Sequence, residues 1–164
     1  MGYPSRGFTY IQGPLELRLS TVSSTATFKA GNPVTYSDDR TLIEAGSDTS
    51  LIVGIAQADA ANSIGGTLAG KCLIGIPTAC TIFVAKVNGG VAVSLLSSGA
   101  TLGLAKNGNY LEVGTSNASE TVIIVPRGDG TTIDSTDSSV YVQFLGNVLS
   151  PFGSNAGAPI YAQD

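Results

Sequence analysis

The chain contains no histidine and no tryptophan, one methionine and two cysteines in 164 residues. Without histidine there is no Ser-His-Asp or Cys-His relay, and no imidazole to ligate zinc. Two thiols are too few for a four-thiolate site or a disulfide scaffold. Charge is scarce as well. Asp, Glu, Lys and Arg make up 12% of the chain, about half the ~25% usual in soluble domains. The eight Lys and Arg residues are scattered singly, and the net charge is −4. A polyanion-binding surface needs a basic stripe that releases counterions from phosphates, so no nucleic-acid partner is expected. No apolar run approaches the ~20 residues that a membrane-spanning helix needs. Residues 1–13 lack the roughly 7–15-residue apolar core of a secretory signal. Met1-Gly2-Tyr3-Pro4-Ser5-Arg6 opens like a myristoylation signal, but Arg6 stands where Ser or Thr is required. The expectation is synthesis in a cytoplasm and no membrane partner.

What is present is β-forming. Hydrophobic residues make up 43% of the chain and glycines number 21 without a triplet period, so the glycines read as turns rather than collagen. Leu15-Glu16-Leu17-Arg18-Leu19 alternates strictly, which predicts a half-buried strand. Further strands are predicted over Thr27–Lys29, Val34–Tyr36, Thr41–Glu44, Ser50–Gln57, Lys71–Ile76, Thr81–Val87, Val91–Leu95, Tyr110–Val113, Thr121–Val125 and Val140–Leu145. Between them stand Gly31-Asn32-Pro33, Gly46-Ser47-Asp48, Asn88-Gly89-Gly90, Asn107-Gly108-Asn109 and Gly128-Asp129-Gly130. Asn-Gly and Asp-Gly tolerate the positive φ of tight hairpins. Gln57–Ser63 and Thr101–Lys106 are candidate short helices. Many short strands at this spacing predict an all-β fold, a compact β-barrel or β-sandwich. The expected organisation is an N-terminal arm and first strand over 1–22, a core over 23–149 and a C-terminal arm over 150–164.

Candidate chemistry is thin. Gly65-Gly66-Thr67-Leu68-Ala69-Gly70-Lys71-Cys72 matches a phosphate loop up to its last position, where Cys72 replaces the Ser or Thr that would ligate magnesium. The strand-like Leu73-Ile74-Gly75-Ile76-Pro77 follows, where a phosphate loop needs a helix. A glycine-rich hairpin loop is the better reading. Asp129, Asp134 and Asp137 have no EF-hand order, and Asp38-Asp39-Arg40 reads as a solvated hairpin tip. Asp59 reads as a cap, and Asn117-Ala118-Ser119 as a chance glycosylation pattern. Cys72 and Cys80 could face each other across a hairpin; two buried, reduced thiols are the preferred alternative in a reducing compartment. No catalytic residue, cofactor or metal ligand is expected, and the chain reads as non-enzymatic.

Both ends carry apolar side chains amid Gly, Pro and Ser. Disordered tails generally avoid aromatics, and fully extended, the last fourteen residues could reach ~45 Å. Tyr3, Phe8, Tyr10, Ile11, Phe152, Ile160 and Tyr161 are therefore the candidate contact residues, docking on the chain's own core or on a neighbour.

The order of features resembles the head-decoration, or capsid cement, proteins of tailed bacteriophages. Four pieces carry the likeness over roughly residues 26–149. They are Ala30-Gly31-Asn32-Pro33-Val34; Ile52-Val53-Gly54-Ile55-Ala56 with Ala58-Asp59-Ala60; Thr81-Ile82-Phe83-Val84-Ala85-Lys86; and a closing half. That half contains Gly103-Leu104, Tyr110-Leu111-Glu112-Val113, Val122-Ile123-Ile124-Val125 and Val140-Tyr141-Val142-Gln143-Phe144-Leu145. The resemblance implies an accessory protein on the outer capsid surface, clustered as a homotrimer and bound to the major capsid protein, with the virion as its location. The alternatives are a head-fibre, tail or other adhesive β-module, or a β-barrel binding a small ligand or sugar.

Overall fold

In a computed structural model, the described residues are 7–46, 51–60, 70–89, 91–115, 120–127, 133–134 and 139–150. They form an all-β sandwich of two antiparallel sheets.

One sheet contains β1 (Phe8–Gln12), β7 (Ile82–Lys86), β12 (Ser139–Phe144), β10 (Val122–Val125), β8 (Thr101–Asn107) and β9 (Tyr110–Gly114), in that spatial order, with β11 (Ile133–Asp134) paired to β12. The other contains β2 (Leu15–Thr21), β6 (Lys71–Pro77), β5 (Gly54–Ala56), β3 (Pro33–Tyr36) and β4 (Leu42–Glu44). The second sheet coils. Val22, just beyond β2, bridges Leu42 of β4 in parallel, so the two outer strands of that sheet meet at one end.

Two apolar cores result. The larger holds Phe8, Phe83, Phe144, Leu104, Leu111, Val122, Ile124, Val140 and Val142 of the first sheet with Ile52 and Ile55 from the side of the second. Phe83 and Phe144 meet edge to face with ring centroids 5.6 Å apart, and Phe8 lies 5.3 Å from Phe144. Phe28, Val34, Leu42, Cys72 and Ile74 fill the concave side of the coiled sheet.

The Gly31-Asn32-Pro33 turn joins these halves. Phe8 N–H donates to Gly31 O at 2.8 Å, and Gly31 N–H to Ala56 O at 2.8 Å. Gly31 takes φ +91° against Gly7 at φ +75°, and a Cβ on Gly7 would lie 2.9 Å from Gly31 Cα. Two glycines let the backbones approach at this crossing. Asn32, fully buried, donates through Nδ2 to Asn109 O and accepts through Oδ1 from Leu111 N–H, at 2.9 and 3.1 Å. One side chain thus ties β3 to the β8–β9 hairpin of the opposite sheet.

Several elements depart from the sequence expectation. Thr101–Lys106 is strand, not helix: Leu102 and Leu104 alternate inward, and β8 pairs with β9 from Gly103↔Gly114 to Asn107↔Tyr110. Val91–Leu95 contains a 3-10 turn over Val93–Leu95. Thr27–Lys29 is a loop that inserts Phe28 into the smaller core. Phe8–Gln12, expected within the arm, is a strand registered on β7 from Phe8↔Ala85. At the other end Ile52 N–H donates to Val148 O and Ser150 N–H to Ile52 O, at 2.6 and 2.9 Å. The chain is strapped to the core up to the point where the C-terminal arm was expected to begin.

Candidate functional site

The connection between β1 and β2 is only Gly13-Pro14, yet β1 belongs to one sheet and β2 to the other. Gly13 takes φ +101°, and a Cβ there would lie 2.9 Å from Cys80 O. Thr81 Oγ1 donates to Pro14 O and anchors the crossing. Tyr10 Oη donates to Gly13 O at 2.6 Å. This junction fixes where β2 leaves the sandwich, and β2 then runs along the outer edge of its sheet.

The strict alternation of β2 is real, but its burial is inverted. Leu17 and Leu19 are 56% and 47% exposed, while Ser20 is buried. The register explains this. Leu19 lies opposite Leu73, itself 38% exposed, and Leu17 lies opposite Gly75. Arg18 and Ser20 lie opposite the buried Ile74 and Cys72, on the face turned to the smaller core. The even positions therefore share the concave face of the coiled sheet, and the leucines stand on its convex face. Leu15, at the β1 junction, still reaches the larger core. Beyond it nothing among the described residues buries Leu17, Leu19 and Leu73. An apolar row on an outer strand is the arrangement that most invites pairing with another chain.

The backbone of that strand is directed outward. Val22 N–H donates to Gly70 O at 2.8 Å, on the side of β6. The β2–β6 register is unbroken from Leu15↔Pro77 to Thr21↔Lys71. Peptide direction alternates with period two, so the N–H and C=O groups of Leu15, Leu17 and Leu19 point away from β6.

Of the predicted contact residues, Tyr10 is 42% exposed on the outer strand β1. Ile11 is half-buried. Phe8 is core, packed on Phe83 and Phe144, because its strand faces the larger cluster. Tyr3, Phe152, Ile160 and Tyr161 lie outside the described residues. The structure brings none of the placed candidates to the leucine row. Sequence reasoning missed that row because alternation reports two faces without saying which is covered.

The polar clusters act as struts. Asp59 Oδ1 accepts from Ala30 N–H at 2.9 Å and its Oδ2 pairs with Lys29, fastening two loops over the smaller core. Asp39 accepts from the hydroxyls of Ser37 and Thr41 and from Thr41 N–H, while Arg40 takes φ +63° in a tight β3–β4 turn. The Ser37 hydroxyl, followed by Thr41, holds the Asp39 carboxyl below its usual range. Buried Glu112 receives the Asn88 and Asn107 amides on Oε1, both at 3.2 Å, and among the described residues its Oε2 has no hydrogen-bond partner. Among the described residues no group of three His, Cys, Asp or Glu is placed to hold a metal ion. Lys71, the lysine of the phosphate-loop-like run, opens strand β6. Gly65 to Ala69, Asp129, Asp137 and Asn117 lie outside the described residues. Both cysteines are free; Cys72 is buried, but Cys80 is exposed rather than buried as expected, because it sits in the Thr78–Thr81 turn. Burial pushes the Cys72 thiol pKa up.

No protein-family model matches the sequence, and no curated protein is significantly similar to it.

Proposed function

We propose that this chain is a non-enzymatic structural protein of a virus particle, a capsid cement protein that docks on the major capsid protein of a tailed-phage head. The observation that carries the reading is the leucine row on the outward strand β2. It is a surface suited to docking, set on a body whose buried polar groups serve as struts. The low charge of the chain supports the same reading, because few ions need desolvation when such a surface is covered. The sequence likeness over residues 26–149 adds the capsid as the partner. Tyr10, exposed on β1 of the other sheet and apart from that row, offers it a second apolar contact.

The test is composition and imaging of particles carrying this chain. Many copies on the outer face of each head are expected, against a few for a fibre or tail component and none for a soluble sugar-binding barrel. Deleting residues 1–13 would remove β1 and the buried Phe8. The informative truncations are therefore residues 1–6 and 151–164, which should lower head occupancy without unfolding the core. Full occupancy after both truncations refutes a role for the terminal arms.

A further inference from the structure

We infer that Glu112, Asn88 and Asn107 form a binding site for a hard divalent cation, calcium above magnesium, that clasps the seam between the end of β7 and the β8–β9 hairpin. The site is separate from the leucine row and goes beyond the capsid reading.

Glu112 is 1% exposed. A carboxylate taken out of water is costly unless an opposite charge or a metal ion holds it. No ion pair among the described residues supplies that charge; the pairs are Lys29–Asp59 and Lys106–Glu44. Lys106, registered opposite Leu111 beside Glu112, gives its ammonium to Glu44 instead. What Glu112 meets is two side-chain amides, those of Asn88 and Asn107, both on Oε1. Its Oε2 is buried and has no hydrogen-bond partner among the described residues. Two neutral donors on one oxygen leave the charge unbalanced and the other oxygen open to a ligand.

The three residues converge from separate elements. Val87 bridges Val113 in parallel, and Asn88 N–H donates to Val113 O at 2.8 Å, which sets Asn88 beside β9. Asn107 ends β8, opposite Tyr110 across the hairpin. Leu111 and Val113 enter the larger core, so Glu112 between them takes the other face of β9. A half-turn of each amide exchanges its nitrogen for its oxygen. Two amide oxygens and the carboxylate then face one point.

Spacing selects the ion. Two oxygens at right angles about calcium, each about 2.3–2.6 Å from it, lie roughly 3.3–3.7 Å apart; about magnesium the spacing is roughly 2.9 Å. Both amide nitrogens stand 3.2 Å from Oε1, closer to the calcium spacing. Asn107 is exposed and Asn88 half-buried, so water reaches the open side and completes the shell. With a single carboxylate the affinity should be about millimolar. That single acid is also why no acidic spacing in the sequence marks the site.

Thermal melting of the full chain, freed of metal by chelator and dialysis, is the test. Calcium chloride at about 10 mM should raise the melting temperature by about 3–6 °C. Magnesium chloride at matched ionic strength should raise it far less. Glu112→Gln keeps an acceptor for the two amides and removes the charge; its melting temperature should not respond to calcium. Asn107→Asp adds a second carboxylate and should tighten calcium binding about tenfold, read by titration calorimetry. A purely structural Glu112 would give no such gain. A parent chain indifferent to calcium overturns the inference. So does an equal response to magnesium, a response that survives Glu112→Gln, or an Asn107→Asp variant that binds no more tightly. Each of these results would leave the capsid reading intact, because that reading rests on β2.

Discussion

Asn32 offers the sharpest test of how the two sheets are held together. Its side chain is fully buried and donates to Asn109 O and Glu44 Oε2, at 2.9 and 3.3 Å, while accepting from Leu111 N–H at 3.1 Å. Asn32→Ala deletes all three bonds. Asn109 is exposed, so its carbonyl recovers water and costs little. Leu111 is buried, and its N–H loses its partner. An unpaired buried amide costs about 1–3 kcal/mol, and the two lost donor bonds together about 1 kcal/mol more. The expected destabilisation is about 2–4 kcal/mol. At about 2–4 °C per kcal/mol for a chain of this size, the melting temperature should fall by roughly 5–15 °C. Urea denaturation followed by fluorescence of the tyrosines would report the same loss as a shifted midpoint with an unchanged slope. Asn32→Asp is the informative companion. It keeps the acceptor for Leu111 but removes both donors and sets a carboxylate beside Glu44. It should be at least as damaging at neutral pH. A loss below about 1 kcal/mol for Asn32→Ala, or an Asn32→Asp variant as stable as the parent, would refute the strut.

Three further outcomes are expected. Gly54→Ala would place a Cβ 2.5 Å from Gly75 O, backbone that cannot yield, so it should destabilise the β5–β6 pair by about 1–3 kcal/mol in denaturant titration; an unchanged midpoint would contradict that packing. Under native conditions a thiol reagent should label Cys80 alone, reaching Cys72 only in denaturant, as read by intact mass; two rapid adducts or none would contradict the burial assignment. Asp39, whose folded carboxyl titrates below the ordinary 3.8, stabilises its turn above the unfolded pKa, and that contribution is lost as pH falls through the lower folded value. An NMR titration should show Asp39 protonating below 3.8 and Asp39→Asn abolishing the acid-linked shift at Thr41; a midpoint above 3.8 would contradict the hydrogen-bonded tip.

Much of this architecture was legible as a pattern. The runs at Val34–Tyr36, Lys71–Ile76, Tyr110–Val113 and Val140–Leu145 all became strands, because period-two alternation and Asn-Gly turns act locally. The errors have physical causes. Leu104-Ala105-Lys106 suits a helix by propensity, but the inward alternation of Leu102 and Leu104 prevails once β9 offers an edge. Phe28 sits in a loop yet fills a core, which no periodicity announces. Phe8 stands in an irregular-looking run of Gly, Pro and Ser that reads as an arm; in the fold Gly7 and Gly13 permit close backbone crossings instead. The leucine row was the least legible part. Leu-Glu-Leu-Arg-Leu specifies two faces, and only the coil of the sheet, closed by Val22 against Leu42, decides that the charged face turns inward.

That inversion bears on what the strand is for. An open strand bearing leucines invites pairing with other chains unless something covers it. Under the capsid reading the cover is the head surface, so Leu17, 56% exposed, can be changed without disturbing either core. Leu17→Glu should lower head occupancy and leave the circular dichroism of the free chain unchanged. Full occupancy with Leu17→Glu would mean that the leucine row does not touch the head.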